Sequence, residues 1–193
     1  MKVFGIDPGS ERTGYGCVES DGTRHRVVAC GAIATAAGAS FPDKLLIIHR
    51  SLTALLAECD PAVVAIENIF YATNVRSARK LGHARGVAVL AAVERQVPVF
   101  EYTPAEIKRA VVGYGRAEKH QVQEMVRVLL GLRDVPTPHD AADALAVAIC
   151  HLHHQGSAGA KALAIDPGPR RRRAESWREY RPCPSSVPRL VPT

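Results

Sequence analysis

Four acidic residues stand where the sequence predicts that ordered elements begin or end. Asp7 closes an apolar run just before a proline and a glycine, and Glu67 closes a second apolar run. Asp140 and Asp143 are spaced i, i+3, so they share one face of a helix. Brought to one place, four like charges repel strongly. A divalent cation relieves that repulsion, and an all-oxygen ligand set favours Mg²⁺. The pattern therefore predicts a metal-dependent site.

The same acids also admit a purely structural interpretation. Asp7 and Glu67 can cap or solvate strand ends, while Asp140 caps a helix and Asp143 lies beside the helix dipole. That explanation serves any one of the acids taken alone. The presence of all four favours a shared site.

Basic side chains follow the second apolar run without compensating acids. Residues 68–93 contain no Asp or Glu, and a helix over 75–95 would place Arg76, Arg79 and Lys80 on one face. Such a stripe would bring the phosphates of a nucleic acid close to the acids. The alternative is a solvated charged face.

Two further features of this stretch predict contacts. Phe70 stands outside the apolar run, where an aromatic ring can stack on bases or wedge between them, although a buried ring is the alternative. Gly82 and Gly86 are one helical turn apart, and each costs about 1 kcal/mol relative to Ala in a helix. They predict close helix packing, either in a dimer interface or inside the domain.

A second basic group surrounds the glycine-containing connection 113–119. Lys108, Arg116 and Lys119 belong to this group. We predict a mobile loop that contacts DNA, with an ordinary surface loop as the alternative.

Hydrophobic periodicity and turn residues predict the elements that position the acids. Short apolar segments at 14–18 and 26–33 follow the strand that carries Asp7, and the three predict an antiparallel meander. The remaining predicted elements are strands at 62–66 and 97–102 and helices at 41–59, at 75–95, from Thr103, at 119–131 and from Asp140. Alanines in the last helix let it lie close to the sheet, which would bring Asp143 within reach of Asp7.

Composition predicts one folded domain followed by a tail. The chain has 193 residues, of which 47% are hydrophobic, and its net charge is +6. Residues 156–193 account for +5 of that charge and are rich in Gly, Ala, Pro and Arg. We predict a domain over 1–155 and a disordered basic tail over 156–193. Any DNA binding by the domain must then rest on local basic patches.

The sequence carries no signal for a membrane or for zinc. No apolar segment approaches membrane-spanning length, and the chain opens on a strand without a signal-peptide pattern, so we predict a cytoplasmic protein. The five cysteines are scattered and form no CxxC pair, which predicts reduced thiols.

Several motifs together resemble one known family, the bacterial Holliday-junction resolvases RuvC. In chain order they include Gly5-Ile6-Asp7-Pro8-Gly9-Ser10, Thr13-Gly14-Tyr15-Gly16, Ala65-Ile66-Glu67, Lys80-Leu81-Gly82, Ala117-Glu118-Lys119 and Asp140-Ala141-Ala142-Asp143. The resemblance spans roughly residues 1–154. It implies an α/β protein with a ribonuclease-H-like fold, a five-stranded mixed sheet flanked by helices.

The resemblance also implies a function. Members of this family are Mg²⁺-dependent endonucleases that act as homodimers and nick two opposed strands of a four-way DNA junction in recombination and repair. Their catalytic, metal-binding acids fall on Asp7, Glu67, Asp140 and Asp143. His139 is a candidate accessory residue, because some members carry a histidine near the third acid. A role for Phe70 at the junction, and docking of the branch-migration proteins RuvA and RuvB, are implied in the same way.

We expect two divalent ions, with Mn²⁺ able to substitute for Mg²⁺, to promote hydrolysis to 5′-phosphate and 3′-hydroxyl ends. Three rival interpretations stay open. The first is a ribonuclease-H-like nuclease of ribosomal RNA precursors, and the second is a junction-binding module without catalysis. The third is an actin-like kinase or ATPase, which would need a second glycine-rich phosphate loop and a longer chain.

Overall fold

Five strands form a single sheet in the computed structural model, which describes residues 1–68 and 75–154. They are β1 (Lys2–Asp7), β2 (Arg12–Ser20), β3 (His25–Ala34), β4 (Val63–Glu67) and β5 (Val99–Tyr102). The order β3-β2-β1-β4-β5 places β1 at the centre. This strand is antiparallel to β2 and parallel to β4, while β3 and β5 complete the two edges. The predicted five-stranded mixed sheet is confirmed.

Helices cover both faces of this sheet. They are α1 (Phe41–Cys59), α2 (Val75–Glu94), α3 (Pro104–Val112), α4 (Lys119–Leu129) and α5 (His139–His154). Alternate side chains of β1 point to opposite faces, as a pleated strand requires. Phe4 and Ile6 pack with α1 and α2, whereas Val3 packs with α3, α4 and α5.

Sequence signals locate most of the helix starts. The Ser40 side chain accepts a hydrogen bond from the backbone N–H of Asp43 at 3.3 Å and caps α1. Thr103 and Glu106 form a reciprocal capping box at α3, with proline at the first helical position. The N-cap predicted at Thr103 is confirmed.

Several predicted boundaries were wrong by one or two residues. Strands β2 and β3 extend beyond the predicted 14–18 and 26–33, because antiparallel pairing continues through polar residues that alternate with the apolar ones. Helix α4 ends at Leu129 rather than 131, and α5 begins one residue before Asp140.

Two glycines let α5 lie directly on the sheet. A Cβ atom on Gly5 would lie 2.0 Å from the carbonyl oxygen of Ala144, and a Cβ on Gly14 would lie 2.0 Å from the carbonyl oxygen of Asp140. No side chain of any size fits at either position. The predicted close contact between the alanine-rich helix and the sheet is therefore confirmed.

None of the helices in the described part of the chain is both long enough and apolar enough to cross a membrane. The tail predicted over 156–193 lies outside the described residues.

Candidate active site

The four predicted acids meet at one end of β1. Asp7 is the last residue of β1, and Glu67 is the last residue of the parallel neighbour β4. Ile6 pairs with Ile66 in register, so the two carboxylates leave the same edge of the sheet side by side. Helix α5 adds Asp140 from its first turn and Asp143 one turn later, because α5 crosses the sheet at Gly14, the register partner of Asp7.

Burial and the neighbouring carboxylates both change the pKa of Asp7. Burial, the charge of Glu67 and then the charge of Asp143 raise the pKa of Asp7 to about 8. Burial also raises the pKa of Glu67, although a hydrogen bond from Asp7 opposes that rise. The two carboxyl groups therefore interact directly and bind protons as a pair rather than independently.

Lysines line the other side of these acids. Lys119 Nζ lies 2.7 Å from Asp143 Oδ2, and this hydrogen bond is the main reason that the pKa of Lys119 is raised. Lys108 and Lys119 line a cavity of about 300 Å³ together with Glu67 and Asp143. We call this cavity the Lys119 groove. Two of the predicted DNA contacts therefore lie directly beside the acids.

The other predicted contact residues lie farther out or outside the described part. Arg76, Arg79 and Lys80 are exposed on the first turns of α2, and Lys80 Nζ stands 6.0 Å from the centre of the Phe41 ring. Arg116 is exposed in the α3–α4 connection. His139, the first residue of α5, is also exposed. Phe70 lies outside the described residues.

The α3–α4 connection is more firmly held than its glycines suggest. Ala117 is 1% exposed. The Tyr114 hydroxyl donates to Gln121 Oε1 at 2.8 Å, and Gln121 Oε1 also accepts from the backbone N–H of Glu118 at 2.9 Å. Gly113 serves as the left-handed cap of α3, with φ of 95°. These contacts connect the loop to the start of α4, from which Lys119 reaches Asp143, and the predicted mobility and DNA contact stay predictions.

The two helix glycines do not pack inside the domain. A Cβ on Gly82 or Gly86 would meet no atom of the described residues within 4 Å. Both glycines instead line an open groove of about 440 Å³ with Leu45, Val87 and Leu90. The intra-domain alternative was therefore wrong, because the buried stripe of α2 consists of alanines on another face.

Sequence reasoning missed two charged groups around the acids. Arg12 Nη1 lies 4.0 Å from Asp140 Oδ2, and the only sequence signal is a basic residue in the turn after Asp7. Glu101 on β5 forms an ion pair with Arg85 of α2 and accepts a hydrogen bond at 3.2 Å from Asn68 Nδ2. This second group ties the residue after Glu67 to β5 and α2.

The acids suit hard divalent cations by donor type and by charge. Four carboxylates converge where burial and mutual repulsion raise the pKa of Asp7 to about 8, so a cation gains from their negative potential. Among residues 1–68 and 75–154, no three His, Cys, Asp or Glu side chains stand in a preformed coordination arrangement. Asp7 interacts with Glu67, and Lys119 pairs with Asp143, so these acids are engaged by neighbouring side chains.

Comparisons with known proteins cover the residues that form this site. The family described as crossover junction endodeoxyribonuclease RuvC matches residues 3–151. A relative of that name from Trichlorobacter lovleyi is 49% identical over 185 residues, which cover 94% of this chain and 100% of the relative. Another, from Koribacter versatilis, is 55% identical over 154 residues, or 79% of this chain and 93% of the relative.

A solved structure agrees with these matches. The chain of T. thermophilus RuvC in complex with a Holliday junction substrate is 36% identical, with a TM-score of 0.81. The match covers 84% of this chain and 99% of that one. The family match over residues 3–151 includes at least part of every strand and helix described above.

Proposed function

This chain belongs to the RuvC family of crossover junction endodeoxyribonucleases and is a Holliday junction resolvase, and we propose that it cuts through the four acids Asp7, Glu67, Asp140 and Asp143. Its role is in homologous recombination and DNA repair. The observation that carries the assignment of the site is the convergence of these carboxylates at the end of the central strand, with Lys119 beside them.

Nucleases of this family depend on metal ions, and the acids are the residues that would hold them. We propose two Mg²⁺ ions for each site, with Mn²⁺ able to replace them. Asp7 would contact both ions because it comes from the central strand, Glu67 would hold one, and Asp140 and Asp143 the other. When bound, such ions lower the pKa of an attacking water and stabilise the departing 3′ oxygen.

The protein's own groups prepare the site for an anionic strand. Lys108 and Lys119 offset the negative charge of the acids and offer ammonium groups to phosphate oxygens. Ile107 and Val122 form an apolar wall of the Lys119 groove. Hydrolysis then leaves a 5′-phosphate and a 3′-hydroxyl, so each nick can be sealed by a ligase.

A junction with two-fold symmetry requires two such sites. We propose a homodimer that nicks opposed strands symmetrically, assembled through the α1–α2 groove at Gly82 and Gly86. The exposed Arg76, Arg79, Lys80 and Arg116 would contact the arms of the junction, and Phe70 would stack on its bases. His139 would assist beside Asp140. Docking of RuvA and RuvB and a cytoplasmic location belong to the same proposal.

The direct test is cleavage of a labelled synthetic four-way junction beside linear duplex and an RNA hairpin, with Mg²⁺ and with EDTA. We expect paired, religatable nicks in the junction alone, and only with Mg²⁺. Preferred cutting of the RNA would favour the ribosomal RNA nuclease. Junction binding without Mg²⁺-dependent cutting would favour a module that has no catalysis.

A further inference from the structure

A second groove opens beside the acids, on the side away from Lys119. Its volume is about 550 Å³, and its walls are the β1–β2 turn, the end of β3 and the side chain of Asp140. Arg12 is its basic residue, with a side chain that is 60% exposed. We call this cavity the Arg12 groove.

The turn that carries Arg12 is firmly held. The Thr13 hydroxyl donates to the carbonyl oxygen of Gly9 at 2.7 Å. A Cβ on Gly9 would lie 2.1 Å from the carbonyl oxygen of Arg12, so only glycine permits this tight turn. Thr35, at the end of β3, ties the turn to the sheet edge, because its backbone N–H donates to the Glu11 carbonyl at 3.0 Å. The backbone beneath the guanidinium is therefore fixed before any ligand arrives.

The one acid that faces this groove beside Asp140 is already neutralised. Glu11 Oε2 lies 2.5 Å from Nζ of Lys44, whose side chain is only 7% exposed. This ion pair holds the pKa of Glu11 below its usual range, and Lys80 adds to the effect. An anion that enters the groove meets the Glu11–Lys44 ion pair, the positive charge of Arg12 and the negative charge of Asp140.

Arg12 also retains free donor capacity. Its separation of 4.0 Å from Asp140 is at the outer limit for an ion pair. A guanidinium carries five N–H donors arranged in a fork that matches phosphate oxygens. Arg12 can therefore contact a phosphate without leaving the neighbourhood of Asp140.

The two grooves lie on opposite sides of the central strand. The Lys119 groove is on the β4–β5 side of Asp7, and the Arg12 groove is on the β2–β3 side. In each groove one basic side chain pairs with an acid of α5. Lys119 pairs with Asp143, and Arg12 pairs with Asp140. A DNA strand whose scissile phosphate lies at the acids has a path through both.

We propose that the Arg12 groove is a backbone-phosphate subsite, in which Arg12 binds a phosphate of the cleaved strand adjacent to the scissile one, on the side opposite Lys119. This proposal rests on the nuclease function given above and extends it. Contact with phosphate fixes the register of the strand on the acids but reads no base.

Single methylphosphonate substitutions in the junction strand, each of which removes one phosphate charge, test the proposal. Binding of the full chain is measured in EDTA and cleavage in Mg²⁺, for the wild type, Arg12→Ala, Arg12→Lys and the control Arg26→Ala. Arg26 is exposed on β3 and pairs with Glu19, near the opposite end of the strand from Ala34. For the wild type we expect one adjacent substitution to weaken binding about tenfold, as loss of a charge-assisted hydrogen bond would.

With Arg12→Ala, the same methylphosphonate should weaken junction binding less than about twofold. Methylphosphonates at the other sensitive positions should weaken binding as much as they do with the wild type. Unmodified junction should bind about tenfold more weakly, with a salt slope lower by roughly 0.7 to 0.9. Arg12→Lys should restore part of the affinity, and Arg26→Ala should match the wild type.

Two results would overturn the proposal. If each methylphosphonate weakens binding of Arg12→Ala as much as binding of the wild type, even with slower cleavage, Arg12 only positions Asp140. If the wild type neither binds nor cuts the junction, the proposed function fails first and this subsite fails with it. An intact wild-type activity thus separates the two failures.

Discussion

Asp7 shows how a single buried carboxyl can lower the stability of the fold. Its carboxyl is buried next to the other three acids. Burial and the charge of Glu67 raise the pKa of Asp7 from 3.8 to about 8. The unfolded chain holds the proton less tightly than the folded protein. Ionisation of Asp7 therefore weakens the fold as pH rises from about 4 to about 8.

The variant Asp7→Asn should lose cleavage yet gain stability. In EDTA at pH 8 its melting temperature should exceed that of the wild type by about 2–4 °C for each kcal/mol of repulsion relieved, and the difference should vanish towards pH 4. Junction binding should stay equal or become tighter, because one negative charge is gone. Thermal scans across pH, with exposed Asp134→Asn as the control, measure this. A lower melting temperature than the wild type at pH 8 would contradict it.

Arg12 marks the limit of what residue types alone can reveal. The four acids could be predicted because each one ends an apolar run or repeats at helical spacing. An arginine in a turn has no such pattern, and its proximity to Asp140 depends on α5 crossing the sheet at Gly14. The Arg85–Glu101 pair is similar, since it joins residues on two elements that follow no shared spacing.

At the scale of elements, the contact between α5 and β1 determines where the acids meet. Helix periodicity and strand alternation could be predicted, but strand ends could not, because partner strands and not local sequence decide how far pairing extends. The sequence left two alternatives open for Gly82 for a related reason: the packed face of α2 is built from Ala84, Ala88, Ala91 and Ala92.

Gly5→Ala should separate α5 from the sheet. The new Cβ would lie 2.0 Å from a backbone oxygen of Ala144, which cannot rotate away. We expect a loss of about 3 kcal/mol or more in the free energy of unfolding and a large loss of cleavage, since Asp140 and Asp143 move with the helix. Gly38→Ala, where a Cβ meets no described atom within 4 Å, is the matched control in urea unfolding. Equal stability of the two variants would refute the packing argument.

The far end of α5 predicts an acid-sensitive contact. His151 is fully buried, its Nδ1 lies 2.8 Å from the Tyr102 hydroxyl, and its ring packs on Phe100. Burial, with a smaller effect of His154, lowers the pKa of His151 from 6.5 to about 4. Between these values the unfolded chain binds the extra proton, so stability falls as pH drops through that window.

The variant His151→Gln should therefore show a flatter pH dependence. Between pH 6.5 and pH 4 the free energy of unfolding of the wild type falls, and up to about 3 kcal/mol of that fall should be absent in the variant. This holds whatever the absolute stability of the variant. Urea unfolding at several pH values, with exposed His153→Gln as the control, gives the slopes. An unchanged slope in His151→Gln would rule out this residue as the source.

At the scale of the whole molecule, the proposed homodimer would assemble through the α1–α2 groove. Leu90 is 49% exposed there, beside the open backbone at Gly82 and Gly86. Leu90→Glu should shift the protein from dimer to monomer in sedimentation and uncouple the two nicks, because a buried charge opposes an apolar interface. Val128→Glu, at a valine that is 59% exposed on α4, should remain dimeric. The same mass for Leu90→Glu and the wild type would exclude this groove as the interface.

The two grooves on either side of Asp7 have a topological consequence. Two open grooves on either side of the acids would accept a DNA strand from the side, so a free strand end would not be required. Covalently closed circles should therefore be substrates as good as linear molecules, and each encounter should yield one internal cut without stepwise digestion. A site closed at one end would instead cut the DNA at a fixed distance from a strand end.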